Sequence, residues 1–133
     1  MKVNAYLAFR GNCEQAINFY AGLFGGNITN KITYQDSDRD IPESYRNNLQ
    51  HIELKGNDIH ILAYDASPDT PITQGNNIHM SVDVDDKESA KDIFDSLTEG
   101  GKIHQNFQEM EWDAYYGRCT DKYGINWMIN SKK

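Results

Sequence analysis

Two stretches of this chain are close copies of one pattern. The segment from Asn12 to Gly26 (NCEQAINFYAGLFGG) and the segment from Asp86 to Gly101 (DKESAKDIFDSLTEGG) each open on a helix-capping residue. Each continues with apolar residues at helical spacing and closes on a glycine pair. An alternating run precedes each copy and further alternating runs follow it, so one strand–helix–strands unit occurs twice. The boundaries fall at about residues 1–66 and 76–133, with Ala66 to Asn76, which holds Pro68 and Pro71, as the connection. A length of 133 residues suits one domain built from the two modules.

The opening strand is expected over Val3 to Phe9, with Val3, Ala5, Leu7 and Phe9 turned to the core and Tyr6 on the polar face. Asn12 is placed to cap the first helix. A second strand runs from about Asn27 to Tyr34, and a polar stretch from Gln35 to Asn48 follows, a length at which surface loops often act as lids. Gln50 to Asp65 reads as a hairpin turned by Gly56-Asn57. That turn sets Glu53 opposite His60 and His51 opposite Leu62 on one face, and leaves Ile52, Leu54, Ile59 and Ile61 for the helix-covered core. In the second module Ile78, Met80, Val82 and Val84 face one way and His79 and Ser81 the other. A strand over Lys102 to Phe107 follows the helix, and Tyr115 to Thr120 with Ile125 to Asn130 form the last hairpin. Trp127 and Phe19 are expected in the core. Trp112 is placed on a loop.

The formal charge of −7 argues against a nucleic-acid partner, whose affinity rests on clustered Lys and Arg. No apolar run approaches the length of about 20 residues that spans a bilayer, and the opening residues carry no signal-like region, so the expected location is cytoplasmic. Cys13 and Cys119 have no metal-site or paired spacing and are read as free thiols.

Several segments together carry a resemblance: YLAFRGN from Tyr6, AINFY from Ala16, FGG from Phe24, HIEL from His51, EGGK from Glu99, Trp112 with Tyr116-Gly117, and DKYGINWMIN from Asp121. In these the chain resembles the vicinal oxygen chelate superfamily (the glyoxalase/bleomycin-resistance/dioxygenase fold) and, within it, the PhnB-like branch. The resemblance implies an α+β fold of two βαβββ modules curled into a cupped open barrel. It also implies a homodimer and a cavity that in many relatives holds a divalent metal. The family's ligand positions carry over to Asn4 or Ala5, to Leu62, to Asn77 or His79, and to Met128. Leucine offers no donor, and a thioether suits a hard divalent ion poorly. The expectation is therefore no metal and no cofactor.

A different polar set remains. Tyr6, His51, Glu53, His79 and Trp112 are the candidate ligand contacts, with aromatic surface for stacking. His51, Glu53 and His60 are the candidate acid–base group, a histidine oriented by a carboxylate. The same cluster also reads as a structural cross-strand pair, or as a relocated metal site of two histidines and a glutamate. The function expected first is metal-independent binding of a small molecule. The alternative is an enzyme of lyase, isomerase or dioxygenase type acting on a small metabolite. Some relatives carry a methyltransferase label, but the glycine pairs here end helices instead of opening them and offer no cofactor loop.

Overall fold

A computed structural model describes residues 1–36, 40–111 and 114–132 of the chain. They form two compact units, Met1–Thr73 and Gln74–Lys133. The first contains β1 (Tyr6–Phe9), α1 (Cys13–Phe24), β2 (Asn27–Thr33), β3 (Leu49–Lys55) and β4 (His60–Asp65), in the sheet order β1-β4-β3-β2. The second contains β5 (Met80–Val84), α2 (Lys87–Thr98), β6 (Lys102–Met110), β7 (Ala114–Thr120) and β8 (Asn126–Lys132), in the order β5-β8-β7-β6. Each unit is thus a βαβββ module with one parallel pair, β1 with β4 or β5 with β8, beside antiparallel ones. The expected α+β architecture of two such modules is the observed one.

In the first unit Ile52 and Leu54 of β3 and Ala63 of β4 are fully buried with Ala16, Ile17 and Tyr20 of α1. Each fully buried Ile or Leu side chain contributes about 2 kcal/mol. In the second unit Ala90, Phe94 and Leu97 of α2 are buried with Cys119, Trp127 and Ile129. Burial raises the Cys119 thiol to about 11 and lifts Cys13 further. Both cysteines are therefore protonated packing residues.

The strands begin later than alternation alone suggests. Val3 and Ile78 are exposed at 90% and 77%, and the ladders start at Tyr6 and Met80. An apolar residue at a strand's frayed end has no neighbouring strand to bury it. Phe19 is only half-buried, whereas Trp127 is 2% exposed. Among the described residues, the polar stretch after β2 holds two single-turn 3₁₀ segments, Tyr34–Asp36 and Glu43–Tyr45.

The two helix starts differ. Asp86 caps α2 as expected, its Oδ1 accepting Ser89 N–H at 2.7 Å. The Asn12 side chain makes no capping bond on α1. Its place is taken across the module by Asp65, buried at the end of β4. Asp65 Oδ1 accepts from Gly11 N at 2.7 Å and from Cys13 N at 3.0 Å, and Oδ2 accepts from Leu49 N at 2.8 Å. Asp121 plays a matching part in the β7–β8 turn, taking the N–H groups of Tyr123 and Ile125 and the Trp127 indole.

Candidate functional site

The face of the first sheet turned away from α1 carries the polar candidates. The β3–β4 register pairs Glu53 with Leu62 and Lys55 with His60, and β1 sets Tyr6 beside Leu62. This corrects the expected pairing of Glu53 with His60 and of His51 with Leu62. Gly56 N–H bonds Ile59 O, so the turn centres on Asn57-Asp58, one residue later than Gly56-Asn57. A one-residue move of the turn shifts every pairing by two. Because strand side chains alternate with period two, each residue keeps its face. His60 is then diagonal to Glu53, still within reach of it.

Four predicted residues come together there. His60 Nε2 lies 2.9 Å from Glu53 Oε1, His51 Nε2 lies 3.3 Å from Oε2, and the Tyr6 hydroxyl lies 3.0 Å from His51 Nδ1. Tyr6 also packs edge-on against Tyr64, ring centroids 6.1 Å apart. Hydrogen bonds from His60, Asn30 and His51, in that order of effect, pull the Glu53 carboxyl down to about 2.

An ionised carboxylate only accepts, so both histidines must present Nε2–H to it. The neutral His51 ring then has its lone pair on Nδ1, and the Tyr6 O–H donates there. Protons thus point one way, from Tyr6 to His51 to Glu53. That is the order in which a hydroxyl is made basic by an imidazole that a carboxylate orients.

Asn30 is a member of this group that the sequence pattern does not single out. It has φ 53°, the left-handed region that asparagine tolerates better than most residues. It lies where the β2–β3 register breaks between Thr29 and Ile32, and its side-chain amide donates to Glu53. An irregular edge strand re-aims a side chain in this way. The periodicity that finds strands cannot find it.

Two further contacts, His79 and Trp112, are expected from the sequence. His79 belongs to the second unit, one residue before β5 and half-buried. Trp112 lies outside the described residues.

Glu53 predicts a pH effect. Its folded pKa is depressed from 4.5 to about 2, so it contributes stability above the unfolded value that is lost as pH falls through the folded one. The acid limb of wild-type unfolding between about pH 4.5 and pH 2 should flatten in Glu53→Gln. A circular dichroism titration of the two proteins checks this, and superimposable curves would refute the network.

A family model described as 3-demethylubiquinone-9 3-methyltransferase matches residues 1–130. The chain belongs to this family. Protein YjdN of Escherichia coli (strain K12) is 31% identical over 145 residues, covering 100% of this chain and 97% of YjdN. The structure of protein PA1353 from Pseudomonas aeruginosa superposes with TM-score 0.89 at 29% identity, over 99% of this chain and 98% of that one. A Bacillus cereus structure described as a putative 3-demethylubiquinone-9 3-methyltransferase, PhnB protein, gives TM-score 0.85 at 23% identity, over 98% and 99%. The fold is shared with a glyoxalase/bleomycin resistance protein/dioxygenase family enzyme from Burkholderia phytofirmans, TM-score 0.68 at 15% identity over 98% and 97%.

The cofactors that these names suggest do not fit the residues present. In this PhnB/YjdN-like chain Leu62 stands between Tyr6 and Glu53 across the strands, and Met128 stands between Ser81 and Arg118. Two of the four ligand positions that the resemblance implies are this buried leucine and this thioether, neither of them suited to a hard divalent ion. Among the described residues no three His, Cys, Asp or Glu side chains are arranged to hold a metal ion. Neither glycine pair opens a helix: Gly25 caps the end of α1, and Gly100-Gly101 follows α2. They form no cradle for a nucleotide-bearing methyl donor.

Proposed function

We propose that this PhnB/YjdN-like chain is a metal-independent small-molecule binding protein, cytoplasmic and homodimeric, with Tyr6, His51 and Glu53 as ligand contacts. The observation that carries this reading is the ordered chain Tyr6–His51–Glu53–His60 on one sheet face. Polar groups converge there beside aromatic surface from Tyr6 and Tyr64, which is the composition of a small-molecule site. His79 and Trp112 enter the reading from the sequence alone. The acidic charge supports a small-molecule partner over nucleic acid, and among the described residues no helix is long and apolar enough to cross a membrane.

One observation favours a second reading, an acid–base enzyme. The proton order leaves the exposed Tyr6 oxygen able to take a proton from a bound substrate while its own passes to His51 Nδ1. Glu53 would stabilise the imidazolium. Return of the proton to a neighbouring atom would complete an isomerisation with no co-reactant.

The test is a thermal-shift screen of a metabolite library against wild type, Tyr6→Phe and His51→Ala. A ligand should raise the melting temperature by mass action in wild type and lose that effect in His51→Ala. Chelator should leave the wild-type melt unchanged, and mass spectrometry of the purified protein should find no stoichiometric metal. A binder keeps most of its affinity in Tyr6→Phe and forms no product, whereas an enzyme keeps affinity and loses turnover. Hits that bind His51→Ala undiminished would sink both readings.

A further inference from the structure

The second unit holds an arrangement that the Tyr6 site does not use. A pocket of about 400 Å³ is lined by Gln74, Asn76, His104, Thr120, Gly124 and Asn126. None of these side chains carries a fixed charge. His104 owes its position to an irregularity in β6: Ile103 pairs with Cys119 and Gln105 with Arg118, so His104 is one residue too many. Such a bulge bends the strand and re-aims the extra side chain. Here it brings Nε2 to 2.7 Å from Thr120 Oγ1.

The hydrogen-bond directions in this group follow from its fixed members. Asn126 Nδ2 donates to the carbonyls of Gly75 at 2.9 Å and Ile78 at 3.1 Å, which leaves Oδ1 to accept. Thr120 Oγ1 donates to that Oδ1 at 2.7 Å. With its proton committed, Thr120 can only accept from His104, so His104 carries its hydrogen on Nε2. The neutral ring therefore has a bare lone pair on Nδ1. The same Asn126 bonds hold the 74–78 segment against the sheet end and so maintain one wall. Gln74 lies against Gly124, so close that a β-carbon at 124 would stand 2.0 Å from its side-chain nitrogen.

We propose that this pocket binds a neutral small molecule bearing an amide or imide edge. Its N–H would donate to His104 Nδ1, and the carboxamides of Gln74 and Asn76 would pair with its remaining donors and acceptors. The lining offers no fixed counter-charge, so a neutral ligand is the one it matches.

Uracil is the probe and 1,3-dimethyluracil its control, alike in ring and polarity except that both N–H donors are gone. Long-range nitrogen-15 spectra of the labelled chain should show His104 in the Nε2–H form. Uracil at millimolar concentration should shift the His104 Nδ1 signal and the amide signals of Thr120 and Asn126. Dimethyluracil should bind about tenfold more weakly, the loss of one hydrogen bond. His104→Ala, an exposed position that should leave the rest of the spectrum in place, should no longer respond, and Thr120→Val should respond less. An Nδ1–H form of His104, no response to uracil, equal responses to the two probes, or a response that survives His104→Ala would each overturn the proposal.

Discussion

Replacing Asp65 with alanine should lower the stability of the protein by about 4 kcal/mol, read as a fall in the urea midpoint with little change in slope. Asp65 is 1% exposed, and its carboxylate takes the N–H groups of Gly11, Cys13 and Leu49. Removing it takes the acceptor from three donors at the start of α1 and the start of β3, and the Cys13 and Leu49 bonds are buried, so those two N–H groups lose their compensation for leaving water. Asp65→Asn should recover part of the loss, because its single carbonyl oxygen serves one side of the clasp while its NH₂ opposes an N–H on the other. Asn12→Ala should be close to neutral, since the Asn12 side chain makes no capping bond. A larger loss in Asn12→Ala than in Asp65→Ala would mean that α1 is capped locally after all.

That contrast shows where the sequence is legible. A cap on the adjacent residue can be read from spacing, and at Asp86 it holds. A cap delivered from 52 residues away cannot, because nothing local marks Asp65 as the partner of Cys13. Sheet faces are legible for a similar reason. Alternation assigns Tyr6, His51, Glu53 and His60 to one side, and that assignment survives a turn placed one residue early. Register is less so, because Gly56-Asn57 and Asn57-Asp58 are both acceptable turn centres. Asn30 and His104 are invisible because each sits in an irregular edge strand, where the pattern that identifies a strand is broken by the feature that gives the residue its direction. The fold can therefore be read nearly whole, and the site only as far as its regular strands carry it.

The repeated glycine pair supports a second strong prediction. In the sequence both pairs look like helix stops, and for Gly25 that is the whole account. It has φ 84° with ψ −166°, a backbone region open essentially to glycine alone, while a β-carbon added there would meet nothing within 4 Å, so Gly25→Ala should cost roughly 1–2 kcal/mol, all of it backbone strain. The second glycine of each pair has a further duty, because the chain leaving the helix passes close over the end of the third strand of its module. A β-carbon on Gly26 would stand 3.1 Å from Lys55 O, and one on Gly101 only 2.2 Å from Thr120 O. Lys55 and Thr120 occupy matching places, each opposite the first residue of the next strand, His60 or Asn126. The close pass is therefore a property of the module. Thr120 O is backbone, held in the β6–β7 ladder through the pairing of Lys102 with Thr120, and cannot rotate aside as a side chain would. Gly101→Ala must push β6 off β7 and should lose at least about 3 kcal/mol, the largest cost in the glycine series. Gly26→Ala should fall between, with positive φ and a tight but not overlapping contact. Urea unfolding of the three variants should rank them Gly25, Gly26, Gly101 in increasing loss. An alanine at 101 tolerated as well as one at 25 would show that the pair only stops the helix.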